Sequence, residues 1–178
     1  MNDRERLLEL INQIAVVHGE VILSSGQRAD RYVDLRRITL HHEAGPLAGR
    51  VMLEATKELD FDVVGGLTLG ADPVALAMMH AAAAKGRVLD ACVVRKEQKK
   101  HGMQRQVEGP GVAGRRVLAI DDTSTTGASV LKAVEGLRAA GAEVVGIGLI
   151  VDRGVGEAIA ETGLPLYSAY QFDELDLG

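Results

Sequence analysis

The segment from residue 117 to 129 constrains this chain most, because in it an apolar run ends in two adjacent carboxylates. The segment reads Val-Leu-Ala-Ile-Asp-Asp-Thr-Ser-Thr-Thr-Gly-Ala-Ser. An apolar run followed by a polar turn and a helical pattern predicts a strand, a turn and a helix N-terminus. That helix start would offer free backbone N–H groups and the positive end of the helix dipole, which suit a phosphate group.

The side chains of this segment favour a phosphorylated sugar as the ligand. Hydroxyl donors come from Thr123, Ser124, Thr125, Thr126 and Ser129. Asp121 and Asp122, the acid pair, cannot themselves bind phosphate, and carboxylates beside a phosphate site suit sugar hydroxyls or a hydrated Mg²⁺ ion. A capped strand with a polar helix start would explain only one acid and one hydroxyl. A Walker loop is excluded because no Gly-Lys-Ser/Thr follows, and a dinucleotide fingerprint because the turn has one glycine.

The chain around this segment alternates between apolar runs and helical patterns. Strands are predicted at 63–66, 88–94, 117–120, 143–151 and 166–170, and helices at 44–59, 72–85, 127–140 and 154–162. Continuous apolar strands between helices indicate a parallel sheet covered on both faces, an α/β fold. The first 40 residues do not fit this alternation. They contain a helical pattern over 3–17 and short strands at 21–23 and 32–35, and we expect them to form a small hood.

Composition excludes several other classes of protein. The 178 residues suffice for one domain with a substantial core, 47% of them are apolar and the net charge is −5. An acidic chain with 3% aromatic residues and no Trp is not expected to bind nucleic acid in general. Cys92 is the only cysteine, which excludes an internal disulfide, and the histidines show no metal-ligand spacing. The charged N-terminus and the short apolar runs predict a cytoplasmic protein that does not bind membranes.

Residues 95–115 interrupt the alternation with a long polar loop. A loop of this length within a compact domain is usually a lid, a binding loop or disordered, and a solvated charged loop is the plain alternative. Its position favours a ligand-binding role, because it precedes the strand that carries the acid pair and ligands bind outside the carboxyl ends of such strands. Its basic residues include Arg95, Lys96, Lys99, Lys100, His101 and Arg105.

The 117–129 segment resembles the phosphoribosyl-pyrophosphate (PRPP) motif of the type I phosphoribosyltransferases. The shared pattern is four apolar residues, two acids and a Thr-Thr-Gly-x-Ser ending. The resemblance implies the fold of that family, a central and mainly parallel sheet flanked by helices, in one domain spanning 1–178 with a small N-terminal hood (1–40) and a flexible lid loop (95–115). It also implies that PRPP is bound by Asp121, Asp122, Thr123, Ser124, Thr125, Thr126, Gly127, Ala128 and Ser129, and that the two acids are catalytic.

The start of the lid narrows the resemblance to one branch of the family. Residues 95–102 read Arg-Lys-Glu-Gln-Lys-Lys-His-Gly, which is similar to the Arg-Lys-x-x-Lys-x-His-Gly lid of orotate phosphoribosyltransferases. The resemblance implies that Arg95, Lys96, Lys99 and His101 contact PRPP, with Lys99 catalytic, and that a homodimer shares the lid between subunits. Cations closing over the departing pyrophosphate would stabilise its growing charge and exclude water.

Further segments resemble substrate-binding parts of the same enzymes. Arg153 follows an apolar strand, where an arginine can bind a planar carboxylate bidentately; a capping ion pair with Asp152 is the alternative. The resemblance implies that Arg153 and Thr125 bind orotate. Residues 65–73 resemble the pyrophosphate loop without its usual Lys, or form a plain strand-to-helix turn. Residues 23–26 and 32–34 resemble a substrate segment but depart from its pattern, and we leave them out of the predicted site.

The resemblance implies transfer of the 5-phosphoribosyl group from PRPP to orotate, giving orotidine 5′-monophosphate and pyrophosphate in pyrimidine synthesis, with Mg²⁺ as the cofactor. One alternative is a purine phosphoribosyltransferase, which would share the PRPP motif but should lack the Lys-x-x-Lys-x-His lid. Another is a regulator on the same fold that senses PRPP or nucleotides. Such a regulator would carry a basic face or an added domain for RNA or DNA, and neither is visible in the sequence.

Overall fold

A computed structural model of the chain describes residues 1–22, 26–97 and 105–178. Its helices are α1 (Asp3–Leu10), α2 (Arg36–Thr39), α3 (Ala44–Ala55), α4 (Ala71–Ala84), α5 (Ala128–Ala139) and α6 (Gly156–Ala160). Its strands are β1 (Val16–Ile22), β2 (Arg28–Val33), β3 (Val63–Leu67), β4 (Asp90–Val94), β5 (Val107–Glu108), β6 (Arg116–Ser124), β7 (Glu143–Asp152) and β8 (Leu166–Gln171). A π-helical turn (Ile11–Ala15) follows α1, and a 3₁₀ turn (Phe172–Glu174) follows β8.

The larger sheet has the order β5-β4-β3-β6-β7-β8 among the described strands. Every neighbouring pair in it is parallel except β4 and β5, which are antiparallel. The predicted α/β fold with a mainly parallel sheet is therefore confirmed. Because parallel strands end at the same edge, the carboxyl ends of β3, β6 and β7 meet there and bring their following turns together.

Helices cover the sheet on both faces, which explains why its central strands are continuously apolar. Leu118 and Ile120 of β6 pack into a core formed with α1, α3 and α4. Val117 and Ala119 point the other way, into a core formed mainly with α5 and β7. Alternate residues of one strand thus supply two cores, as the period of two in a strand requires.

The N-terminal segment forms a separate two-stranded antiparallel sheet of β1 and β2. A capping box begins α1, in which Asn2 Oδ1 accepts the Glu5 N–H and Glu5 Oε2 accepts the Asn2 N–H, both at 2.9 Å. The predicted helix over 3–17 was too long, because its last residues, Val16 and Val17, pair with β2 as part of β1. Gly19, with φ +152°, lies within β1. Leu23 of the predicted strand lies outside the described residues.

Three boundaries at the carboxyl edge also differ from the predictions. β6 continues through the acid pair to Ser124, because Asp121 and Thr123 pair with Leu149 and Val151 of β7. The helix predicted to start at residue 72 begins at Ala71, directly after Gly70. In the lid, β5 pairs with the end of β4 in register, so part of the predicted loop is a strand.

Between the described termini, no helix combines the length and apolarity that crossing a membrane requires.

Candidate functional site

A cavity of about 340 Å³ lies where the carboxyl ends of β3 and β6 meet the hood. Its walls come from residues 33–36 of the hood, from the turn at 67–70 after β3, from Lys96, from residues 121–123 and from Ser129. The fold thus brings five of the predicted PRPP residues, which lie in two separate sequence segments, around one cavity. Its size suits part of a small anionic ligand.

The acid pair forms the buried wall of this cavity. Asp121 is only 5% exposed, and its Oδ1 accepts the Asp122 N–H at 2.9 Å. Asp122 Oδ1 accepts the Thr123 N–H at 2.8 Å. Burial, followed by the neighbouring Asp122 charge, raises the pKa of Asp121 to about 8. Burial also raises the pKa of Asp122. Two carboxylates desolvated together favour a ligand that offers them hydroxyl donors or a cation.

The turn between β3 and α4 faces the same carboxylates. The Thr68 hydroxyl donates to Asp72 Oδ2 at 2.6 Å. The other oxygen, Asp72 Oδ1, is buried and has no hydrogen-bond partner among the described residues. The Asp72 charge contributes to the raised pKa of Asp121. Asp72, in the first turn of α4, therefore adds negative charge near the acid pair, and the turn at 67–70 contributes no cationic side chain.

The polar segment after the acid pair, residues 123–129, is the hydroxyl loop, and two of its hydroxyls hold the loop itself. The Thr123 hydroxyl donates to the Val151 carbonyl at 2.9 Å, and the buried Ser124 Oγ accepts the Gly127 N–H at 3.0 Å. Gly127 has φ +79°, a left-handed conformation that favours glycine before α5. Thr125, Thr126, Ala128 and Ser129 are exposed at the start of α5. The predicted phosphate site therefore combines an ordered turn with exposed polar groups.

The predicted lid residues differ in whether they line the cavity. Lys96 is exposed and lines it. The half-buried Arg95 guanidinium lies 3.5 Å from Glu108 Oε1, and the Arg95 N–H donates to the Gln106 carbonyl at 2.7 Å. Arg95 thereby joins the start of the lid to its middle part around β5. The predicted PRPP residues Lys99 and His101 lie outside the described residues.

Arg153 follows the last residue of β7 and lies beside the hydroxyl loop, since its N–H donates to the Ser124 carbonyl at 3.1 Å. Its side chain is half-buried, and burial lowers its pKa. The carboxylate of Asp152 accepts the N–H groups of Gly154 and Val155 at 2.8 and 3.0 Å. Within the described residues it forms no ion pair with Arg153. The alternative of a capping ion pair between Asp152 and Arg153 is therefore excluded.

Sequence reasoning missed Arg36, a residue of the short helix α2. Its Nε donates to Asp34 Oδ1 at 3.1 Å, and its side chain lines the cavity. Its positive charge opposes the rise in the pKa of Asp122. The available signal was its position directly after the segment that resembles a substrate-binding strand.

Comparisons with known proteins agree with this geometry. Residues 47–163 match the family model of the phosphoribosyl transferase domain. The orotate phosphoribosyltransferase of Streptomyces avermitilis is 63% identical over 98% of this chain and 97% of its own length. A crystal structure of Mycobacterium tuberculosis orotate phosphoribosyltransferase with Fe(III) dicitrate has a TM-score of 0.90 and 56% identity, over 99% of this chain and 100% of that one.

A second crystal structure of the Mycobacterium tuberculosis enzyme, in complex with PRPP, has a TM-score of 0.85 and 50% identity, over 97% of this chain and 98% of that one. The family model covers well over half of the chain, and the named relatives match nearly all of it. The chain therefore belongs to the phosphoribosyltransferase family and, within it, to the orotate phosphoribosyltransferases.

Proposed function

We propose that this protein transfers the 5-phosphoribosyl group from PRPP to orotate, giving orotidine 5′-monophosphate and pyrophosphate in the synthesis of UMP. The observation that carries the proposal is the one cavity shared by the acid pair, Lys96 and Ser129, with Arg153 beside the same loop. A solved relative at 50% identity is described as a PRPP complex, which supports the same donor substrate.

The acid pair would act on the ribose. Transfer of the phosphoribosyl group builds positive charge on the sugar ring as its bond to pyrophosphate breaks. Asp121 and Asp122 accept hydrogen bonds from the ribose hydroxyls, and negative charge on the pair stabilises the sugar cation. Because no protein group has to transfer a proton to the sugar carbon, positioning and electrostatics account for the rate.

The hydroxyl loop would hold the 5-phosphate of PRPP. Thr125, Thr126 and Ser129 offer exposed hydroxyls, and the backbone N–H of Ser129 lies at the start of the 12-residue helix α5. Thr123 and Ser124 help to fix the conformation of the loop, since the Thr123 hydroxyl is hydrogen-bonded to β7 and the Ser124 hydroxyl to the loop backbone. Phosphate binding here fixes the sugar against the acid pair.

The lid would neutralise the leaving pyrophosphate. Lys96 lines the cavity already, and Arg95, Lys99 and His101 complete the cationic set that we assign to PRPP. We assign Lys99 the catalytic role within this set, and we propose that a homodimer shares the lid between its subunits.

The whole chain, 1–178, acts as one domain with a hood over residues 1–40. Its cytoplasmic location stays a prediction.

Arg153 and Thr125 would hold orotate. Orotate carries one carboxylate on a planar ring, and a guanidinium binds a carboxylate with two parallel N–H groups. Arg153 is suited to this role because Asp152, its neighbour in sequence, is committed to backbone N–H groups. Thr125 is exposed on the adjacent loop and offers a hydroxyl to the ring.

The acid pair also fits Mg²⁺ carried by the substrate. Among the described residues, no group of three or more His, Cys, Asp or Glu side chains is arranged to hold a metal ion. Mg²⁺ typically keeps several waters and binds one or two carboxylates together with substrate phosphates, which matches Asp121 and Asp122 facing a phosphate site. When bound, the ion would supply charge neutralisation to the pyrophosphate.

The direct test is the loss of orotate absorbance when PRPP and Mg²⁺ are added to the purified protein. We expect orotate to be consumed, and adenine, hypoxanthine and uracil to remain unchanged under the same conditions. Consumption of a purine instead would reject orotate as the substrate. No consumption of any base, together with an RNA or DNA gel shift at moderate salt, would support a regulatory protein.

A further inference from the structure

The guanidinium of Arg153 contacts an aromatic ring. Its Cζ lies 4.6 Å from the centre of the Phe172 ring. Its Nε is buried and has no hydrogen-bond partner among the described residues. Stacking on a ring is therefore the main contact that orients this side chain in the described part of the chain.

The register of the sheet brings these two residues together. Asp152 of β7 pairs with Gln171 of β8, so Arg153 and Phe172 each follow the last pair of adjacent parallel strands. The two side chains therefore leave the same edge of the sheet as neighbours. Their meeting follows from strand pairing and cannot be read from either segment alone.

The turn that carries Phe172 is held firmly. In its capping box the Gln171 N–H donates to Glu174 Oε1 at 2.8 Å. The other Glu174 oxygen accepts Arg4 Nη2 at 2.6 Å, which ties the turn to α1. The Phe172 ring itself packs against the larger hydrophobic core. The ring is thus a fixed surface on which a flexible guanidinium can rest.

We propose that Phe172 is a positioning residue for orotate: its ring holds the guanidinium of Arg153 in the plane that meets the orotate carboxylate. This inference rests on the proposed orotate-binding role of Arg153. An acidic partner would also orient the guanidinium, but it would compete with orotate for the same N–H groups. A ring face attracts the cation through its quadrupole and leaves the N–H edges for the ligand. Less rotamer freedom is then lost when orotate binds.

The test compares Phe172→Leu with the parent in steady-state kinetics. Leucine keeps an apolar contact with the core but removes the ring face. We expect the KM for orotate to rise about fivefold, as loss of a cation–π contact of ordinary strength predicts. The KM for PRPP and kcat should stay within about twofold, because the acid pair and the lid are untouched. Phe172→Tyr keeps the ring and should restore the parent KM for orotate.

A matched control is available in Phe61, whose ring lies 4.4 Å from Arg87 Cζ in a second stacked pair. Phe61→Leu removes a ring of the same kind away from the cavity, and it should leave the KM for orotate unchanged. If Phe172→Leu does not fold, as judged by thermal melting, Phe172→Met makes the same comparison with a different apolar side chain.

A double mutant separates this inference from the proposed function. In an Arg153→Ala background, Phe172→Leu should not change the KM for orotate further, because the ring acts through the guanidinium. If Arg153→Ala leaves orotate binding unchanged, the proposed role of Arg153 is wrong. Suppose that Arg153→Ala weakens orotate binding as expected. If Phe172→Leu then leaves orotate binding unchanged, or weakens the binding of orotate and PRPP equally, only the proposed role of Phe172 is wrong.

Discussion

A β-carbon on Gly70 would lie 2.8 Å from Oδ1 of Asp121, closer than such atoms normally approach. The same carbon would lie 3.0 Å from Oδ1 of Asp122. The backbone at Gly70 has φ −58° and ψ −38°, a conformation open to any residue. Glycine is therefore needed here because of the two carboxylates, and not because of the backbone conformation of the turn. The residue before α4 thus lies directly against the acid pair.

Gly70→Ala should fold normally and lose at least about tenfold in kcat, because the added methyl group displaces the carboxylates that hold the ribose. Steady-state assays and thermal melting of the same preparation check both parts. Gly111→Ala is the matched control, since a β-carbon there would meet nothing within 4 Å. Full activity in Gly70→Ala would show that the acid pair tolerates displacement, contrary to the mechanism proposed here.

Asp122→Asn should keep the fold and lose most turnover. An amide has nearly the same shape as the carboxylate but lacks the negative charge that stabilises a developing sugar cation. The Asn Oδ1 can still accept the Thr123 N–H that Asp122 accepts at 2.8 Å, so the end of β6 should remain in place. Unchanged kcat in a folded variant would contradict the assignment of the acid pair.

The raised pKa of Asp121 predicts how the ligand-free protein responds to pH. Its folded pKa is about 8, against an ordinary value of 3.8, so the folded state binds a proton more tightly than the unfolded state. Its contribution to stability is full below about pH 4 and is lost as pH rises through about 8. Asp121→Asn stays neutral throughout this range.

We therefore expect Asp121→Asn to be more stable than the parent at pH 8.5, by at least about 1.4 kcal/mol, the equivalent of one pKa unit. The difference should shrink at pH 5. Denaturant unfolding with EDTA and without PRPP measures it at both pH values. Equal stabilities at pH 8.5 would mean that the acid pair is not strained by its burial.

The sequence was sufficient to predict features whose residues are neighbours along the chain. The acid pair, the hydroxyl loop and the start of α5 lie within one strand–turn–helix unit, and their order alone indicates a phosphate site. Continuous apolar runs likewise predicted the parallel sheet. The end of β6 was misplaced because pairing with β7 extends the strand through polar residues, which their own propensities do not favour.

The features that were missed depend on pairing between distant segments. Gly70 matters because the pairing of β3 with β6 sets its turn against Asp121. Arg36 matters because the hood closes one side of the cavity. Phe172 matters because β8 pairs with β7 in a register that ends beside Arg153. For Arg36 the only signal was its position after a segment that resembles a substrate-binding strand, and for Gly70 and Phe172 a single sequence carries none, since their contacts need the sheet order first.

Arg153→Ala should weaken the binding of orotate far more than the binding of PRPP. Removing one half-buried guanidinium opposite one carboxylate is expected to cost about 2–5 kcal/mol in orotate binding. Apparent KM values for both substrates check this, and uracil, which lacks the carboxylate, should be a poor substrate of the parent. Equal effects on the two substrates would contradict a contact between Arg153 and orotate.

The lid should act across a dimer interface, which mixed dimers can test. Lys99→Ala and Asp122→Asn are each expected to be nearly inactive as homodimers. If Lys99 serves the partner's site, a mixed dimer has one doubly damaged site and one intact site. Random exchange makes about half of the dimers mixed, so about a quarter of all sites should be intact.

If Lys99 instead serves its own subunit, every site in the mixture keeps one lesion and no activity returns. The two variants are refolded together, formation of mixed dimers is verified with two affinity tags, and orotate consumption is assayed. Lys57→Ala is the control, because Lys57 pairs with Glu54 at 2.6 Å at the end of α3, and it should be fully active as a homodimer. Activity of the Lys99 and Asp122 mixture no higher than the average of its parents would reject a shared lid, since restored activity requires that one subunit's lysine reach its partner's carboxylates.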